Sequence, residues 1–264
     1  MKAAFALAVL VLASSSAAAS AVEIAPHRAL YTMTLGSAKS NSGVVGARGA
    51  MVYEWGETCD GWTVQQRYRL RMQYAEDGEV EISSNYVTWE AKDGLRYRFN
   101  ERRLRNGEVD EEIRGVARLE GSGKGGVAEF SRPSVSRLDL APGTIFPTRH
   151  TIELIERAAA GDQFLARHVF DGSGGENAVE ITAAIVHDQN SSAKAEAKSP
   201  LLQRPSWRVR LAFFPAGSTS ERPEYELGMR LHDNGVSADM VLDYNDFTIK
   251  ARLDEIEALP KPSC

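Results

Sequence analysis

From Trp62 to Tyr74 the chain alternates between two faces for thirteen residues, and this pattern constrains the fold more than any other feature of the sequence. Trp62, Val64, Tyr68, Leu70, Met72 and Tyr74 fall on one side, with Gln66 the single polar intruder. Thr63, Gln65, Arg67, Arg69, Arg71 and Gln73 fall on the other. A period of two over that length is a long, half-buried strand. Asp77-Gly78, Asp93-Gly94 and Asn106-Gly107 follow, each ahead of a further apolar run. Such dipeptides suit two-residue hairpins, whose central residues both need positive φ. The first half therefore reads as a meander of antiparallel strands.

The second half repeats the theme. Trp207, Val209, Leu211 and Phe213 alternate with polar or small residues, as do Tyr225, Leu227, Met229 and Leu231 ahead of Asn234-Gly235. Val236, Ala238, Met240 and Leu242 return the chain, and Phe247, Ile249, Ala251 and Leu253 complete the series. Between the halves one helix is expected after Pro147, with Thr148 as its N-cap, an apolar stripe of Ile152, Ile155 and Ala159, and Gly161 closing it. The Ser-, Ala- and Lys-rich stretch from Gln189 to Ser206 reads as a long loop. The fold class is mainly β, with about a dozen or more strands and one central helix. A closed soluble barrel, a half-open barrel or a spiral would each manage the sheet edges.

The N-terminus indicates the compartment. Met1-Lys2 is followed by an unbroken apolar run from Ala3 to Leu12 and then by small residues through Ala21. This is the pattern of a secretory signal peptide. We assign residues 1–21 to it and residues 22–264 to a single β domain, expected to be soluble and periplasmic. Two cysteines, Cys59 and Cys264, are present. In an oxidising compartment a pair with no odd thiol favours a disulfide, the other reading being two unpaired thiols.

Charge argues against nucleic acid as a partner. Without the leader the chain has 30 basic and 36 acidic residues, a net charge of about −6. The local basic run Glu101-Arg102-Arg103-Leu104-Arg105 meets Glu108, Asp110, Glu111 and Glu112 at once, which reads as a salt-bridged hairpin.

Catalytic motifs are weak. His150 and Glu153 stand three apart on the expected helix, as an acid–base pair or half a metal site would require, but His27, His168, His187 and His232 are scattered without ligand spacing. Gly121-Ser122-Gly123-Lys124-Gly125-Gly126 departs from a phosphate loop by placing Gly125 where a hydroxyl residue is needed, so a hairpin connection is the better reading. Asp171-Gly172-Ser173-Gly174-Gly175-Glu176 lacks the alternating ligands of a calcium loop and reads as a surface turn. Asp243 and Asp246 flank Tyr244-Asn245 and read as turn formers rather than a glycosidase pair. No Gly-x-Ser-x-Gly elbow occurs. The expectation is a non-enzymatic protein with no catalytic residue, cofactor or metal.

Several short segments taken in order carry more information. Ala25-Pro26-His27-Arg28-Ala29-Leu30-Tyr31, Thr58-Cys59-Asp60-Gly61-Trp62, Phe146-Pro147-Thr148-Arg149-His150-Thr151, Val169-Phe170-Asp171-Gly172, Asn234-Gly235-Val236-Ser237, Leu242-Asp243-Tyr244 and the terminal Cys264 make this sequence resemble the EipB family of alphaproteobacterial periplasmic proteins. The resemblance covers nearly all of the chain beyond the leader. It implies a β-spiral, a disulfide from the Cys59 region to the C-terminus, a role in cell-envelope integrity, and a periplasmic tetratricopeptide-repeat protein as partner.

Trp55, Trp62, Trp89, Trp207 and tyrosines 68, 74, 97, 225 and 244 lie on expected strands, where most should pack in the core. A sheet that does not close leaves part of such a face as a groove for a lipid, a glycan such as peptidoglycan, or a peptide. An integral outer-membrane barrel also fits period-two strands. The helix, the charged hairpins and a terminal cysteine argue against it.

Overall fold

The structure, a computed structural model, describes residues 22–173, 178–188, 199–215 and 217–264. The leader, most of the expected Gln189–Ser206 loop and the end of the Asp171–Glu176 turn lie outside the described residues.

Among the described residues the chain forms one antiparallel sheet of fourteen strands. In chain order these are β1 (His27–Ala38), β2 (Val44–Glu57), β3 (Gly61–Tyr74), β4 (Gly78–Ala91), β5 (Arg96–Arg105), β6 (Glu108–Leu119), β7 (Gly126–Arg132) and β8 (Ser136–Leu140). After the helix α1 (Pro147–Ala159) come β9 (Phe164–Val169), β10 (Val179–His187), β11 (Ser206–Phe214), β12 (Tyr225–His232), β13 (Ser237–Asp243) and β14 (Phe247–Ala258). The spatial order is β8 to β1 and then β14 to β9, so the first and last strands pair in the middle of the sheet.

The two outer strands, β8 and β9, are neighbours in sequence, joined through α1. No ladder joins them among the described residues, and the sheet stays open. The edge of β9 is covered instead: the Ile145 N–H donates to the His168 carbonyl at 3.0 Å, and the Phe170 N–H donates to the Ile145 carbonyl at 3.0 Å. β8 is short, largely exposed and charged through Arg137 and Asp139, which blunts the other edge. The expected meander and central helix are therefore present, wound as an open spiral.

The alternation in β3 is expressed as a core face and a solvent face. Met72 is buried, whereas Arg67, Arg69 and Arg71 are exposed and pair with Glu54, Glu79 and Glu81 on the flanking strands. The outer wall of a membrane barrel would carry an apolar band there. Among the described residues no helix is long and apolar enough to cross a membrane.

Two local expectations need correction. Asn106-Gly107 alone among the three first-half turn dipeptides has both residues at positive φ, 53° and 86°. At Asp77-Gly78 and Asp93-Gly94 only the glycine is left-handed, the geometry of a longer loop that ends in a glycine bulge. The N-cap of α1 is Phe146, not Thr148, and it makes no side-chain cap. Thr148 lies inside the helix and is buried, because a carboxylate from β4 caps this terminus. The buried stripe is Leu154, Ile155 and Ala158, with Ile152 half-buried beside it as expected, while Ala159 faces outward; Gly161 follows the helix end as expected.

The interior has three apolar clusters. The stripe of α1 packs with Leu165, Ile181, Ile185 and Trp207 of the second half. Tyr97, Phe99, Phe130, Phe146 and Phe170 form an aromatic cluster inside the first half, with Tyr97 and Phe146 stacked at 5.0 Å between ring centroids. Tyr31, Met33, Met51, Met72 and Ile249 line the central strands where the ends of the chain meet.

Candidate functional site: an apolar cleft at the centre of the sheet

Strand register builds the site. Leu70 on β3 lies opposite Ile82 on β4, which lies opposite Arg105 on β5. Two residues further into the spiral the matching row is Tyr68, Ser84 and Arg103, and two further still Gln66, Tyr86 and Glu101. Since alternate residues share a face, these rows run from the cleft floor, which Gln66, Tyr68, Leu70, Ile82, Arg103 and Arg105 line, to the interior beyond it, where Ser84, Tyr86 and Glu101 lie. Met33, Met51 and Met72 extend the floor, and Leu242, Tyr244, Phe247 and Ile249 supply the facing wall. The enclosed space is a cleft of about 450 Å³. Methionines suit such a lining because their flexible, polarisable chains adapt to the shape of an apolar occupant.

The polar groups are mostly engaged by protein. Arg103 Nε donates to Asp110 Oδ2 at 3.0 Å, and its Nη2 lies 2.7 Å from Glu111 Oε2. Arg105 is exposed at the mouth, and no ion pair holds it among the described residues. Deeper in, Ser84 Oγ donates to Glu101 Oε1 at 3.1 Å, and burial raises the Glu101 carboxyl above its ordinary range. The Tyr86 and Tyr97 hydroxyls lie 2.8 Å apart, and both donate to the Asp171 carbonyl. Burial pushes the Tyr68 phenol up to about 12. This arrangement offers apolar burial and one uncommitted guanidinium, which is chemistry for holding a ligand.

The residues weighed for catalysis are not brought together. The His150 ring is buried and held neutral, its pKa lowered to about 4 by burial, and its Nε2 has no hydrogen-bond partner among the described residues. Glu153 turns instead to Arg167, whose Nε donates to Glu153 Oε2 at 3.1 Å. Among the described residues no group of three His, Cys, Asp or Glu side chains is placed to hold a metal. The Gly121–Gly126 segment connects β6 to β7, with the Lys124 N–H donating to the Gly121 carbonyl at 3.0 Å. Asp243 Oδ1 accepts the Asn245 N–H at 3.0 Å and shapes the turn before β14. The Glu101–Glu112 hairpin is salt-bridged through Arg103, Asp110 and Glu111. Cys59, in the turn between β2 and β3, is bonded to Cys264 with Cα atoms 5.8 Å apart.

Three features escaped the sequence reading. Glu90 caps α1 from 58 residues away, and the Tyr86–Tyr97 pair meets Asp171 across a distant loop. No local spacing marks either. Arg105 was visible only as part of a charged hairpin; its place at a cleft mouth depends on the register of three strands.

Comparison with known proteins places this architecture. The family model described as EipB-like matches residues 18–260. The cell envelope integrity protein EipB of Brucella abortus (strain 2308) is 35% identical over 249 residues, covering 93% of this chain and 88% of that protein. A crystal structure of a beta-barrel-like protein of a domain of unknown function, also from Brucella abortus, superposes with a TM-score of 0.84 at 32% identity, covering 91% of this chain and all of the other. The ordered motifs, the open fourteen-stranded sheet and these matches lead to one conclusion: the chain belongs to the EipB-like family.

Proposed function

We propose that this protein maintains cell-envelope integrity from the periplasm, as a non-enzymatic protein that acts through partner binding. Residues 1–21 are its export signal, and residues 22–264 work as one β domain. The observation that carries the reading is the cleft: its lining is mostly apolar, and two of its three charged side chains, Arg103 and Asp110, are held by each other. The cell envelope integrity protein that it matches along nearly its whole length supports the process. The Cys59–Cys264 bond supports an oxidising compartment. The family resemblance suggests a periplasmic tetratricopeptide-repeat protein as the partner.

The test is deletion in the host strain. Loss of the gene should raise sensitivity to detergent and to cell-wall antibiotics, and normal sensitivity would count against the proposal. A second reading, a periplasmic lipid or lipoprotein carrier, is favoured by the same cleft. Native mass spectrometry of gently purified protein separates the two: a bound lipid supports the carrier, and a clean apo mass supports the adaptor.

A further inference from the structure

The size and charge of the cleft restrict what it can hold. A volume of about 450 Å³ is near the lower end of the roughly 300–1,000 Å³ over which proteins enclose small ligands. That suits one hydrocarbon chain better than two. The floor offers Leu70, Ile82 and Met72 to such a chain, and Phe247 and Ile249 face it.

The charges at the mouth are unequal in availability. Arg103 is committed to Asp110 and Glu111, which fixes its guanidinium along the wall. Arg105, directly opposite Ile82, has no ion-pair partner among the described residues. One uncommitted cation at the end of an apolar trough complements one negative charge at the end of an apolar chain. Asp110 also lines the cleft, so a head of higher negative charge would meet its carboxylate as well.

We propose that the cleft is a binding site for one free fatty acid, its chain lying on Leu70, Ile82 and Met72 and its carboxylate paired with the Arg105 guanidinium. The assignment deepens the carrier reading above and rests on it. Arg-carboxylate pairing is directional and often bidentate, so Arg105 sets which end of the ligand faces solvent.

The test is titration of the purified mature protein with oleate, kept below its micellar concentration and followed by calorimetry. One oleate per chain is expected. Arg105→Gln should weaken oleate binding about tenfold, as the loss of a charge-assisted contact predicts, and Arg105→Lys should restore most of it. Oleyl alcohol, which has the chain without the charge, should bind parent and Arg105→Gln alike. The side chain is exposed, so both variants should melt with the parent, which separates a binding defect from misfolding. No oleate binding, unchanged binding by Arg105→Gln, or preference for lysophosphatidylethanolamine over oleate would each overturn the assignment. If oleate fails but protein purified from the periplasm carries another lipid, the carrier reading survives without the fatty acid. If neither binds, both fall.

Discussion

Glu90 on β4 accepts the backbone N–H of Thr148 through Oε2 at 2.7 Å, and its Oε1 accepts the next N–H, that of Arg149, at 2.8 Å. A side chain from the first half of the chain thus satisfies the open N-terminus of α1, whose own N-cap, Phe146, has no oxygen to offer. The helix bridges the two outer strands, so this contact also ties one end of the spiral to its interior. Glu90→Ala should cost about 2 kcal/mol, the upper range for removing a helix cap. Urea unfolding with an unchanged slope would check it.

The same carboxylate predicts an unusual pH response. Burial raises Glu90 from 4.5 to about 7, against the pull of the two N–H groups. An acid whose folded pKa is the higher takes up a proton on folding. Its stabilising contribution is full below 4.5 and is lost as pH rises through 7. His150 acts in the opposite sense: burial lowers it from 6.5 to about 4, so its contribution is present above 6.5 and lost as pH falls toward 4. His27 and His232 are lowered by burial as well and add to the acid side. Between pH 4.5 and 6.5 the effects partly cancel in the parent protein. Glu90→Gln should make stability fall more steeply on acidification, and His150→Phe should make it fall more steeply as pH rises from 5 to 7. Stability profiles by urea titration at each pH would show whether the slopes diverge in these directions.

Gly172 shows why the Val169–Gly172 segment is part of the core. Its φ is +77°, and an added Cβ would lie 2.5 Å from the buried ring of Phe99. Gly172→Ala should therefore destabilise the fold by about 3 kcal/mol, from backbone strain and an overfilled core together. Gly107 has a similar φ of +86° with open space around it, so Gly107→Ala should cost only about 1 kcal/mol. Equal costs in thermal melts would contradict this account of the Phe99 contact.

The Cys59–Cys264 bond closes a sequence separation of 205 residues. Beside it the C-terminal tail is held by the Leu259 N–H donating to the Pro26 carbonyl at 2.9 Å and by an ion pair between Lys261 and Glu23. Constraining so long a loop in the unfolded chain is worth on the order of 5 kcal/mol in the chain-entropy model. Cys59→Ser should lower the melting temperature and expose the tail to carboxypeptidase. Equal melting with and without reductant would show that the bridge is not a staple.

The sequence revealed those parts of the fold that depend on local alternation. β3 was legible because Arg67, Arg69 and Arg71 mark its solvent face in strict register. β1 alternates as cleanly through Ala29, Tyr31 and Met33, within the segment that also carries the first of the family motifs. β2 was harder, since Gly46, Gly49 and Gly56 leave gaps in its pattern. The pairing of β1 with β14 joins opposite ends of the chain, and no local periodicity specifies it. The cleft was foreseen only as a groove that an open sheet would leave. Its lining comes from strands far apart in sequence, and the place of Arg105 beside Ile82 follows from register.

The central claim is that this protein acts on the envelope by binding, and crosslinking in the periplasm followed by mass spectrometry tests it most directly. The account predicts that the chain, crosslinked in living host cells, is recovered with an envelope protein, a tetratricopeptide-repeat protein foremost. Recovery of the chain with no envelope partner, in cells whose deletion strain tolerates detergent and cell-wall antibiotics normally, would contradict it.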